Sequence, residues 1–145
     1  TVTGTGSSFT AEGEFDVWRG DTTITVADGG LITVNKSGPT GSGEIDFGIF
    51  SGGSTLNIGS GDLLNPTTSG TLNVTAVNLQ RSNDLLYFNQ TNFTTFTPNI
   101  SGNGQVIQRG SGTTTLAGAK ATLMAIRSMS EEDLKVKTIQ EYHDN

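Results

Sequence analysis

The sequence predicts an all-β fold built as a β-solenoid, with an antiparallel β-sandwich or jelly roll as the alternative. Three observations lead there. The 145 residues suit one domain and are rich in Thr, Ser, Asn and Gly, with 20 Gly and only 32% apolar residues. Thr favours strands, while Gly and Asn favour turns. Between closely spaced turn signals lie short runs that alternate an aliphatic or aromatic residue with Thr, Asn or an acid. Degenerate internal copies complete the case: GGSTLNIGSGDLL at 52–64 resembles TSGTLNVTAVNL at 68–79, and Ile-Thr-Val stands on either side of Gly29-Gly30. A spacing of about 8–12 residues between turns suits a sandwich as well as stacked rungs. The low apolar fraction favours rungs, because a solenoid core is a narrow column.

Taken in order, TVTGTGSSFT at 1–10 is a weak strand whose strongest inward residues are Val2 and Phe9. Next, Glu12, Glu14 and Asp16 alternate with Gly13, Phe15 and Val17, which in one continuous strand sets all three acids on one side. TITV at 23–26 and LITV at 31–34 are strands flanking the Asp28-Gly29-Gly30 turn. In EIDFGIF at 44–50, Glu44 and Asp46 lie opposite Ile45 and Phe47. TLNI at 55–58 and TLNV at 71–74 place Leu56 and Leu72 inward. The run LLYFNQTNFTTFTPNI at 85–100 is the most hydrophobic region, and Tyr87, Phe88, Phe93 and Phe96 are assigned to the core, with a surface patch for a ligand as the alternative. QVIQ at 105–108 and TTTL at 113–116 are the last strands.

The chain then changes character. ISGNGQVIQRGSGTTTLAGA at 100–119 resembles the passenger-associated β-strand repeat of bacterial autotransporter passenger domains. The residues that carry the resemblance are Ile100, Gly102, Gly104, Gly110, Gly112, Thr113, Thr115, Leu116, Gly118 and Ala119. It implies a right-handed parallel β-helix at a bacterial cell surface or in the extracellular space. From Lys120 onward the pattern departs from that family. Ser130 followed by Glu131, Glu132 and Asp133 reads as a helix N-cap with first-turn acids. The expected organisation is therefore a β-solenoid domain at 1–119. A helical or flexible tail, serving as cap, linker or extension, is expected at 120–145.

Composition narrows the chemistry. Without Cys, disulfides and thiol catalysis are excluded. The net charge of −6 offers no basic stripe for nucleic acid. No apolar run reaches the roughly 20 residues of a membrane-spanning helix. The absence of a signal peptide and of an initial Met reads as a mature product or an excised piece. His143, the lone histidine, stands in the tail, away from any cleft. GSGDLL at 59–64 is one partial copy of a calcium-binding nonapeptide that works by tandem stacking, so no metal and no cofactor are expected.

Two groups remain as candidate sites. Paired carboxylates among Glu12, Glu14 and Asp16, or Glu44 and Asp46, are what a polysaccharide hydrolase or lyase needs, but a solvated acidic face is the commoner arrangement. The WRGD stretch places Trp18 beside Arg19, Gly20 and Asp21, a triplet that in an exposed turn presents a guanidinium and a carboxylate to an adhesion receptor. The expected role is non-enzymatic, adhesive or structural. The expected partner is a host surface protein or glycan, or copies of the chain itself. One rival is a filament subunit that donates residues 1–10 as an exchanged strand. The other is a small polysaccharide-active enzyme.

Overall fold

The computed structural model describes residues 1–36 and 43–116, and the expected tail, Gly118, Ala119 and His143 lie outside them. The described residues form fourteen strands and no helix. The first three are β1 (Val2–Thr3), β2 (Ser8–Glu12) and β3 (Phe15–Val17). Next come β4 (Thr23–Ala27), β5 (Leu31–Asn35) and β6 (Glu44–Phe47). The third set is β7 (Thr55–Gly59), β8 (Thr71–Asn73) and β9 (Ala76–Leu79). Then follow β10 (Leu85–Asn89), β11 (Thr94–Phe96) and β12 (Asn99–Gly102), and finally β13 (Gln105–Gln108) and β14 (Thr114–Leu116).

Each hydrogen-bonded neighbour is the strand three places away in the chain. The sheets run β1-β4-β7-β10-β13, β3-β6-β9-β12, β2-β5-β8 and β11-β14. Every named pair is parallel. The antiparallel sandwich is thereby set aside, since strands that follow one another never pair. Residues 1–10 are likewise not a free donor strand: β1 lies on β4 and β2 lies on β5.

Register places like residues above one another. Ile24 lies beside Leu56, Leu56 beside Leu86, and Leu86 beside Val106. In the β3 sheet, Phe15, Ile45, Val77 and Ile100 align, as do Val17, Phe47 and Leu79. These inward residues, with Ile32 and Leu72 from the β5 sheet, make one core cluster. Leu56 is fully buried and Leu72 nearly so, in the phase the sequence indicates.

Three expectations change. The two Thr-Leu-Asn copies do not stack: Leu56 is in β7 beside Ile24, and Leu72 is in β8 beside Ile32. The two Ile-Thr-Val runs likewise belong to different sheets, in β4 and β5. Internal similarity here marks successive strands around one core, not neighbours in a ladder. Phe93 is not core, being 66% exposed, whereas Phe88 and Phe96 are buried edge to face with centroids 5.1 Å apart. Phe93 lies in the β10–β11 connection, an odd step from inward Phe96, so it falls on the outer side. Tyr87 is half-buried on the opposite side from Phe88, with the Arg109 guanidinium 5.7 Å from its ring centre. Among the described residues no helix is long and apolar enough to cross a membrane.

Candidate functional site

Trp18, Arg19, Gly20 and Asp21 form the corner between β3 and β4. Val17 ends β3 with its side chain in the core, so the next residue points outward. Trp18 is 54% exposed, and its Nε1 donates to Asp16 Oδ2 at 3.2 Å. The following corner, at 48–54, packs directly on this one. Phe50 N donates to Trp18 O at 2.9 Å, and the two rings lie 5.1 Å apart at 53°. Phe50 is itself 66% exposed. The result is a two-ring aromatic ridge on a mostly polar surface.

The Arg-Gly-Asp corner is fastened to the same neighbour. Gly20 N donates to Ser51 Oγ at 2.8 Å, and Ser54 Oγ donates to Arg19 O at 3.3 Å. A side chain on Gly20 would run into the backbone of Gly52. Asp21 has φ 63°, a left-handed conformation that Asp tolerates better than most residues. The triplet therefore has a structural role at its centre, while Arg19 and Asp21 are exposed at its flanks.

A third corner locks the second. Asp84 is fully buried, and its Oδ1 accepts from Gly53 N at 3.0 Å and Ser54 N at 3.1 Å. Its Oδ2 accepts from Arg81 N at 3.0 Å. The Arg81 side chain donates to Gly48 O at 2.9 Å and Ile49 O at 3.1 Å. Neither residue stood out in the sequence, because a lone Arg-x-x-Asp carries no signal until the preceding corner lies against it. Phe-Asp-Val at 15–17 and Ile-Asp-Phe at 45–47 are the same strand twice, but Trp18 then aligns with Gly48, so only the tertiary structure brings Phe50 to Trp18.

The acids do not gather as one continuous strand predicts. Gly13, at φ 97°, turns the chain between β2 and β3, so Glu12 and Asp16 belong to different sheets. Glu12 Oε1 accepts from Asn35 Nδ2 at 3.0 Å. Asp16 and Asp46 are register neighbours, followed by Asn78 and Ser101, while Glu44 lies beside Ala76. One adjacent carboxylate pair is therefore brought together, and the three-acid row is not. In the 59–64 segment, Asp62 makes a local turn, accepting from Leu64 N at 3.0 Å and Asn65 Nδ2 at 2.7 Å. No cluster of three or more His, Asp or Glu among the described residues is arranged to hold a metal ion.

The structure adds a concavity that the sequence did not indicate. β8 and β11 are not hydrogen-bonded to each other, although each is paired on its other side. Between them opens a slit of about 240 Å³ lined by 69–72 and 93–98 over Ile58. Ser69 N donates to Asn92 Oδ1 at 2.8 Å at one end, and Asn99 N donates to Thr75 O at 3.0 Å at the other.

No family model and no solved structure matches the chain. Among curated proteins, the large chain of carbamoyl phosphate synthase from Nostoc sp. is 69% identical over 32 residues, which is 22% of this chain. The match spans 3% of that protein's length, too short a piece to bear on activity.

Proposed function

We propose that the chain is a section of right-handed parallel β-helix, akin to an autotransporter passenger, with a non-enzymatic adhesive or spacer role at a bacterial surface. The observation that carries this reading is that every strand pair formed joins strands three places apart in the chain, always in parallel. Such pairing lets a chain lengthen by adding rungs and sets its corners in a row along one edge. Corners at 18–21, 48–54 and 81–84 are stacked in this way through direct hydrogen bonds. They present Arg19, Asp21 and the Trp18–Phe50 ridge to a host surface protein or glycan.

Small-angle scattering combined with cell attachment tests the proposal. An elongated particle that attaches without turning over any ligand is expected. A compact globule removes the rod, and hydrolysis or lyase cleavage of a polysaccharide removes the non-enzymatic role.

A further inference from the structure

The slit between β8 and β11 separates two strand edges that stand three places apart in the chain and do not pair. In a parallel sheet, successive residues direct their peptide groups to alternate sides. Thr71 N donates to Gly30 O at 2.8 Å, so Thr71 faces β5 and Leu72 turns its N–H and C=O into the slit. Thr94 N donates to Thr113 O at 2.8 Å, so Thr94 faces β14 and Thr95 turns its peptide groups into the slit from the other lip. The two strands form no ladder, and Thr94 Oγ1 donates to Ser69 Oγ at 2.8 Å across one end of the slit. Two strand edges without a ladder partner among the described residues thus face one another, and the peptide groups of such edges bind water or a ligand.

The lining sets the ligand's chemistry. Leu72, Ile58 and Phe96 close the floor as buried residues, exposed Phe93 stands at the rim as the accessible apolar surface, and Thr71, Thr94, Thr95 and Thr97 complete the lining. No Asp, Glu, Lys or Arg lines the slit, so the occupant is uncharged. The volume is about 240 Å³, below the roughly 300–1,000 Å³ of sites for drug-sized ligands, which suits a single ring. An inserted peptide strand does not fit, because the slit is closed by Ser69–Asn92 at one end and Asn99–Thr75 at the other.

We propose that this slit binds one neutral pyranose ring of a glycan, its C–H face on the exposed Phe93 ring and its hydroxyls on Thr side chains and the Leu72 and Thr95 peptide groups. The proposal deepens the adhesive reading and rests on it for its biological meaning. Its test uses soluble sugars, so the two stand or fall separately.

The methyl glycosides of glucose, galactose and N-acetylglucosamine are titrated into the full chain while backbone amides are followed by NMR. Saturable shifts centred on the Leu72 and Thr95 amides are expected with at least one glycoside. Thr95→Trp, which fills the slit from an exposed position, and Phe93→Ala are each expected to weaken binding at least tenfold with the melting temperature kept. The proposal is overturned by the absence of saturable shifts with all three glycosides. Shifts centred on Trp18 and Phe50, or binding unchanged in both variants, overturn it as well. If Thr95→Trp does not fold, Phe93→Ala alone decides.

Discussion

At the scale of single residues, burial and backbone angle decide what each side chain tolerates. Leu56→Asp sets an unpaired carboxylate in the core at a cost of several kcal/mol, so the chain should lose its cooperative melting transition. A variant that melts as the parent does would show the β7 phase to be misassigned. Asp21 carries a subtler constraint. As a surface carboxylate, Asp21→Glu would be nearly silent, but at φ 63° the longer side chain lacks the local hydrogen bonding that makes Asp tolerable, at about 1 kcal/mol. Asp21→Asn keeps the left-handed preference and removes the charge. It should preserve stability and, if the corner is the receptor contact, abolish cell attachment; full attachment by the folded Asn variant excludes Arg-Gly-Asp recognition. Asp62 gives the pH dependence. Hydrogen bonds from the Asn65 side chain and then the Leu64 amide hold its carboxyl below the ordinary value. A depressed folded-state value contributes stability above the ordinary carboxylate range, and that contribution is lost as pH falls through the lowered value. The Leu64 amide resonance should therefore hold steady at neutral pH and move only in acid. A midpoint at or above the ordinary Asp value would contradict the turn.

At the scale of elements, the loop after β7 reshapes the face it crosses. Asn89 in β10 donates from Nδ2 to Ser60 O at 3.0 Å and Asp62 O at 2.8 Å, drawing the loop across the first sheet. Gly61 comes to lie over Thr25 and Asn57, and both are buried although they alternate with core residues. Asn57 Nδ2 donates to Thr25 Oγ1 at 3.3 Å, while Asn57 Oδ1 has no partner among the described residues. Replacing both members by apolar groups of similar shape removes that orphan, so Thr25→Val with Asn57→Leu should leave the melting temperature nearly unchanged. Asn57→Asp should lower stability by about 2 kcal/mol, since it exchanges the amide for a buried acceptor-only group. A double variant that unfolds would mean that the Thr25–Asn57 bond itself holds the loop. The corners behave similarly. Asp84→Ala strands three backbone donors and should cost about 3 kcal/mol, seen as a shifted denaturant midpoint with an unchanged slope. An unshifted midpoint would show that the 48–54 corner needs no clamp.

At the scale of the whole molecule, strands linked to the third strand onward spread stability over nearest neighbours. Gly110 and Gly112 show how tightly one turn lies on the one before. Gly110 N donates to Phe88 O at 3.1 Å and Gly112 N to Gln90 O at 2.8 Å, and a Cβ on either would strike the Gln90 backbone. Gly112→Ala should therefore loosen the β13–β14 turn while leaving the β4–β7 pairing intact. Hydrogen exchange resolves the two: faster exchange at Thr94 with unchanged Thr55 is expected, whereas uniform acceleration would mean that the molecule opens as one unit.

The sequence by itself determined the all-β class, most strand positions and the inward phase of Leu56, Leu72, Ile45 and Phe47, because alternation follows from strand geometry alone. It also pointed to Trp18–Asp21 as an exposed corner. Which strands lie side by side was decided only by tertiary structure. The Thr-Leu-Asn copies illustrate why: Asn57 is buried and Asn73 exposed in the same local sequence, because the 60–65 loop crosses one sheet and not the other. The acid row failed at Gly13, where one left-handed residue ends the alternation on which the expectation rested. The Asp84 clamp, the Trp18–Phe50 ridge and the β8–β11 slit each join residues far apart in the chain. Their proximity follows from how successive strands stack around the core, a property that no local pattern of residues encodes.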